Sequence, residues 1–320
     1  MARPPTESRF YMTYSRTRPN ELSPWIGEHD VPILENALHR WSDAKEAFLP
    51  MWEYETPHHV IDAGGYNVMA SVVDQQGSLT VDLSVVDAEL ESDVPFYPWS
   101  VEQYHEWLCE HESEFEWACV MDYACEDRFN ELLSVEERRE LTFETTLKQF
   151  ELLEDSNSDY ELLPVLQGRS VDDYVEFYER LEDHGIPVDY VGVGTICRIS
   201  SEKKLAEYET QIRERTGVEA LHGFGIKIDA FRHGAEFETA DSQAWVYHPT
   251  NGRAVLDDGD RLRRVDMSDN SLARTIASFK HYYSYVGRLQ QGDSPVDLDT
   301  SVADIDADEV VRNELAARAE

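Results

Sequence analysis

Eight short apolar runs recur along this chain, each closing on a small or polar residue. They fall near residues 10–14, 30–34, 58–62, 116–122, 161–167, 188–194, 219–225 and 237–241. A short, β-branched run reads as a strand, and one that is apolar on both faces suits the interior of a parallel sheet. Helical spacing fills several gaps and predicts helices over 35–48, 101–110, 135–153, 171–184 and 201–216. Gly185 and Pro187 stop the fourth of these. Strand and helix in alternation, with eight strands, predict an α/β fold of the (β/α)8 TIM-barrel type. The 320 residues suffice for one such barrel of roughly 250 residues and terminal additions.

Two segments depart from the alternation. Residues 78–86 alternate apolar and polar like a half-exposed strand, which predicts a side hairpin inserted at the barrel mouth. Residues 272–291 predict a closing helix whose aromatics, Phe279, Tyr282, Tyr283 and Tyr285, read as core packing. From Gly292 the chain is acidic and poor in aromatics, as a disordered tail is, with a short helical stretch at 307–317. The expected organisation is a barrel domain over 1–291 and an acidic tail over 292–320, without internal repeats.

Composition changes the picture chiefly through charge. Asp and Glu number 65 against 28 Lys and Arg, for a net charge of -37, and Lys occurs only at 45, 148, 203, 204, 227 and 280. So much like charge repels itself unless salt screens it, and in molar salt the Debye length falls to about 3 Å. The acids are spread along the chain, which reads as a halophilic cytoplasmic protein, of the host or of a virus within it. The charge therefore reports habitat more than partner. Cys109, Cys119, Cys125 and Cys197 form neither a disulfide framework nor a close C-x-x-C pair. No long apolar segment or signal peptide is apparent, so no membrane association is expected.

The candidate chemistry sits where the runs stop. In order these ends read Asp62-Ala63-Gly64-Gly65-Tyr66, Val120-Met121-Asp122, Val165-Leu166-Gln167-Gly168, Val191-Gly192-Val193-Gly194, Leu221-His222-Gly223-Phe224-Gly225 and Thr239-Ala240-Asp241-Ser242. Barrel enzymes place their catalytic groups at C-terminal strand ends, so Asp62, Asp122 and Asp241 are expected to converge. Two carboxylates across an oxocarbenium-like centre can break and remake a glycosidic bond with retention. A planar heterocycle needs an aromatic face, matching donors and acceptors, and close backbone; Tyr66, Asp122, Gln167 and the glycines at 192, 194 and 223 are of those types. Aspartate after a strand is also a common turn former or helix N-cap. The ordered series, rather than any one acid, carries the argument.

That series, from about residue 54 to 245, resembles the tRNA-guanine transglycosylase superfamily, which exchanges guanine in a polynucleotide for a 7-deazaguanine. The resemblance implies Asp62 as proton acceptor and Tyr66 as stacking ring. It implies a base-binding set of Asp122, Gln167, Gly168, Gly192, Gly194 and Gly223, with His222 where a methionine usually covers the base. Asp241 matches the nucleophile. The family's zinc cysteines follow the nucleophile, whereas no cysteine follows Cys197 here. His281 resembles the zinc histidine but lacks thiolate companions, so no zinc and no other cofactor is expected.

The loop after the nucleophile is replaced by Ala244 to Pro249, and no RNA-binding domain is appended. These departures look more like the compact deoxypurine-in-DNA branch, which implies DNA as polymer in preference to tRNA, a 7-deazaguanine base, and a possible protein partner in a modification system. Arg128, Arg169, Arg198 and Arg253 follow strand ends and are candidates for phosphate contact. The alternatives are a tRNA-guanine transglycosylase, a non-catalytic paralogous subunit and a hydrolase of free nucleosides.

Overall fold

The computed structural model describes residues 2–3, 7–14, 22–51, 56–78, 94–199, 201–257, 261–266 and 271–291. The expected hairpin beyond Ser78 and the tail from 292 lie outside the described residues. In chain order the first strands are β1 (Arg9–Tyr14), β2 (Ile33–Asn36), a small ribbon of β3 (Trp41–Ser42) and β4 (Ala47–Phe48), and β5 (His59–Asp62). Then come β6 (Trp117–Cys119), β7 (Leu162–Leu163), β8 (Val165–Leu166), β9 (Tyr190–Val193), β10 (Ala220–Gly223) and β11 (Thr239–Ser242). The main sheet runs β7-β6-β5-β2-β1-β11-β10-β9-β8, every pairing parallel.

Its two edges are one strand. Only Pro164 separates β7 from β8; it has no N–H for the ladder, but its carbonyl accepts from Gly192 N–H at 2.8 Å. The sheet therefore closes on itself as an eight-stranded parallel barrel. All eight strands expected from the apolar runs are present.

The barrel is filled rather than hollow. Tyr11, Trp117, Tyr190 and His222 come from strands that are mostly not neighbours, and their rings meet across the interior at centroid distances of 5.6, 6.1 and 5.2 Å from Trp117. At the N-terminal end Glu116 accepts from Arg9 at 2.8 Å and from the Tyr11 hydroxyl at 3.1 Å. Polar plug and aromatic layer together leave the C-terminal face as the open end.

Helices flank the barrel as α1 (Ser23–Glu28), α2 (Gly65–Ser78), α3 (Val101–Glu110), α4 (Val135–Asp155), α5 (Val171–Asp183), α6 (Glu202–Thr216), α7 (Ala244–Thr250) and α8 (Ser271–Gln291). Ser100, Ser134 and Ser170 each cap the helix that follows in a reciprocal capping box with Gln103, Glu137 and Asp173. Each such cap stabilises its helix by about 1 kcal/mol, which makes these starts legible locally. The closing helix packs Phe279, Tyr282 and Tyr285 into the core, as their spacing suggested. A further antiparallel ribbon, β12 (Arg253–Asp257) with β13 (Leu262–Asp266), precedes it.

The helix expected over 35–48 is absent. Asn36 ends β2 and its Oδ1 accepts from Leu38 N–H at 3.0 Å, turning the chain out of the barrel. Trp41 and Phe48, which mimic helical spacing, instead face each other across the ribbon at 5.2 Å, and Phe48 stacks on Trp107 at 4.5 Å. Tertiary aromatic packing overrides the local pattern. The strand expected at 30–34 lies two residues later, which brings Asn36 to the open end.

Candidate active site

The open end holds a cleft of about 1100 Å³ into which Asp62, Asp122 and Asp241 all project from strand ends. Asp241 is the penultimate residue of β11 and is 5% exposed. Its Oδ2 accepts from Thr13 Oγ1 at 2.7 Å and its Oδ1 from Gly225 N–H at 2.8 Å, so both oxygens are held in a fixed orientation. Parallel register supplies the first contact, since Tyr11 of β1 lies opposite Asp241. Asp62 accepts from Asn36 Nδ2 at 3.0 Å and from Gly64 N–H at 3.0 Å. Burial raises its pKa to about 6; the Asp241 charge adds to this, and the two hydrogen bonds oppose it.

Asp122 is coupled to the other acids. Burial, then the charge of Asp62, raises its pKa to about 7, against the hydrogen bond from Gln167. Gln167 Nε2 donates to Asp122 Oδ2 at 2.5 Å while its Oε1 accepts from Thr195 Oγ1 at 2.8 Å. Thr195 accepts in turn from Cys125 N–H at 2.7 Å. This chain fixes which way the Gln167 amide points and leaves its second N–H for a carbonyl oxygen in the cleft. Two glycines make the approach possible: a Cβ on Gly65 would stand 2.1 Å from the Asp122 carbonyl, and one on Gly194 would stand 2.2 Å from Gln167 Nε2.

Of the residues expected from the sequence, Asp62, Tyr66, Asp122, Gln167, Gly194 and Asp241 line this one cleft. Gly168, Gly192 and Gly223 stand behind its wall and admit neighbours: a Cβ on Gly192 would lie 2.4 Å from the Phe224 ring, and one on Gly168 would lie 2.5 Å from Asp173. His222 does not cover the cleft. Strand alternation turns it into the barrel interior, fully buried, with Nδ1 2.7 Å from Thr239 Oγ1 and Nε2 3.5 Å from Asp241 Oδ1. Phe224, two residues on, emerges into the cleft instead and packs on the His222 ring at 4.4 Å.

Thr13, Asn36, Thr195, Phe224 and Glu126 were not found from the sequence. Phe224 alone had a local signal, as an aromatic between two glycines. Glu126 is 5% exposed on the cleft wall, accepts from the Cys197 thiol at 3.4 Å, and has its pKa raised by burial. At the rim the Tyr66 hydroxyl accepts from Arg128 at 2.9 Å and from Arg198.

Arg169 pairs with Asp127, and Arg253 with Asp266 at 3.2 Å; neither lines the cleft. His281 is buried on α8, where its Nδ1 accepts from Asp257 N–H at 3.2 Å and burial pushes its pKa down to about 4. Among the described residues no group of three or more His, Cys, Asp or Glu is placed to hold a metal ion, and no helix is long and apolar enough to cross a membrane.

The family profile for DpdA, DeoxyPurine in DNA protein A, matches residues 78–260, a span that includes Asp122, Gln167 and Asp241 but not Asp62 or Tyr66. The chain belongs to the DpdA family. No curated protein matches it in sequence. In structure it is similar to the YdjI aldolase from Escherichia coli K12, at 13% identity and a TM-score of 0.41 over 91% of this chain and 94% of that one. It is also similar to the carboxyl transferase domain of Rhizobium etli pyruvate carboxylase, at 12% identity and a TM-score of 0.34 over 98% of this chain and 54% of that one. Neither likeness bears on function.

Proposed function

We propose that this DpdA-family chain exchanges a guanine in DNA for a 7-deazaguanine base. The observation that carries the reading is the convergence of three strand-end carboxylates in one cleft, one gripped at both oxygens and two raised toward neutrality. In the first half-reaction an Asp241 oxygen attacks the sugar C1′, the C1′–N9 bond breaks, and guanine leaves with its bonding pair and takes up a proton. In the second, Asp62 accepts the N9 proton of the incoming base, that nitrogen attacks C1′, and the Asp241 carboxylate is released. Two inversions give net retention. His222, behind Asp241, steadies the carboxylate rather than touching the base.

Asp122 and Gln167 suit the heterocycle's edge, since an ionised carboxylate accepts two adjacent N–H groups and the Gln167 amide donates to a ring carbonyl. Tyr66 offers a face for stacking. A duplex must surrender its target nucleotide into the cleft, as base-modifying enzymes require. None of these steps draws on a metal. The test is incorporation of labelled guanine and of labelled 7-deazaguanine into DNA and into tRNA, in molar KCl with any partner subunit supplied. Label in DNA that depends on Asp241 supports the reading; label in tRNA alone moves the polymer to RNA, and label in neither polymer removes the reading.

A further inference from the structure

Thr195 holds a backbone conformation that its own side chain disfavours. It follows Gly194 at the end of β9 with φ 63°, in the left-handed region, where a β-branched residue is strained. Gly225, which lines the same cleft, takes that region at φ 60° without strain. A glycine at 195 would suit the turn better, but it would lack the hydroxyl. That hydroxyl joins the loops after β6 and β9 to the end of β8: Oγ1 accepts from Cys125 N–H at 2.7 Å and donates to Gln167 Oε1 at 2.8 Å.

The direction of this relay is set from its far end, because a backbone N–H can only donate. With the Cys125 N–H on Thr195 Oγ1, the hydroxyl proton turns to Gln167, which keeps the amide oxygen on that side and the amide nitrogen toward Asp122 and the cleft. Asp122 does not fix the amide by itself. With a pKa of about 7 it accepts when ionised and donates when neutral, and a neutral carboxyl suits either face of an amide. A flipped amide would show the cleft an acceptor in place of a donor. Purines differ at the matching position, where a 6-oxo group accepts and a 6-amino group donates. Resting on the base-exchange reading, we infer that Thr195 is a positioning residue that keeps Gln167 a donor to the cleft and so selects 6-oxopurines over 6-aminopurines. A hydroxyl that merely tied two loops together would be indifferent to the base.

The test measures, by calorimetry in molar KCl, the binding of 7-deazaguanine and of 7-deaza-2,6-diaminopurine to wild type, Thr195→Ser and Thr195→Gly, with melting temperatures alongside. Wild type should prefer 7-deazaguanine by at least roughly tenfold, the effect of one mismatched hydrogen bond in a buried site. Thr195→Gly, relieved of the strained φ, should fold and yet bind 7-deazaguanine about tenfold more weakly and the diamino base no more weakly. Thr195→Ser, which restores the hydroxyl, should keep the wild-type preference. Thr195→Val keeps the shape without the hydroxyl and carries the same expectation as Thr195→Gly, should that protein fail to melt cooperatively. In exchange into an oligonucleotide with one guanine, Thr195→Gly should raise KM for 7-deazaguanine more than it lowers kcat. A wild type without the preference, a Thr195→Gly protein that retains it, or a Thr195→Ser protein that loses it overturns the relay, while wild-type exchange leaves the reaction standing. Wild type that neither binds these bases nor exchanges them overturns both.

Discussion

Replacing Asp122 with Asn should stabilise the protein increasingly as pH rises from about 4, and fully above about 7. In the native cleft this carboxyl has a pKa of about 7, raised by burial and by Asp62, whereas an unfolded aspartate titrates near about 3.9. Between those values the native state holds a proton that the unfolded state has lost, so stability falls as pH rises through this window and is fully present below it. The gap between the two values corresponds to roughly 4 kcal/mol, and sharing with Asp62 reduces the part that Asp122 alone can release to about 2–4 kcal/mol. Asn keeps an oxygen for the Gln167 amide and carries no charge. Thermal unfolding of wild type and Asp122→Asn, at pH 4 and pH 8 in the same molar KCl, should show a gain on the order of 5 °C at pH 8 and little at pH 4. Base exchange should fall at least roughly tenfold, since the neutral side chain no longer accepts two N–H groups. An equal change at both pH values, or none, refutes the idea that the buried charge of Asp122 is a cost of the site.

Asp241→Asn, nearly isosteric, should melt like wild type yet lose exchange by roughly 10³-fold or more, with no DNA adduct on a denaturing gel; near-normal exchange refutes its role as nucleophile. Because Asp62 must be ionised to accept a proton, kcat/KM should rise with pH through about 6, and Asp62→Asn should abolish that limb; an unchanged limb assigns it elsewhere. Purified protein should carry less than stoichiometric zinc and keep its activity in chelator, a result that tight equimolar zinc would contradict. Lowering KCl from molar toward 0.1 M lengthens the Debye length from about 3 to about 10 Å, so the melting temperature should drop, and a flat profile would remove the halophilic reading.

The barrel and the ends of its strands were legible in the sequence because both are written locally. A buried parallel strand is a short apolar run, a capping serine announces the helix after it, and an acid or a close-packed glycine stops the run. Hence Asp62, Asp122, Gln167 and Asp241 could be named from order alone. What holds and aims them could not. Thr13 reaches Asp241 across 228 residues and Arg198 reaches Tyr66 across 132, contacts set by the register of neighbouring strands and the curl of the closed sheet. Asn36 escaped notice because Trp41 and Phe48 imitate a helix until they find each other across a ribbon. His222 and Phe224 lie two apart and share the inward face, so depth along the strand separates them: His222 stays inside the barrel, whereas Phe224, past the end of β10 at Gly223, reaches the cleft. Side-chain identity along the chain determined which chemistry was present; only closure of the sheet decided which groups share a cleft, because burial and mutual charge, which raise Asp62 and Asp122, exist only once the strands are side by side.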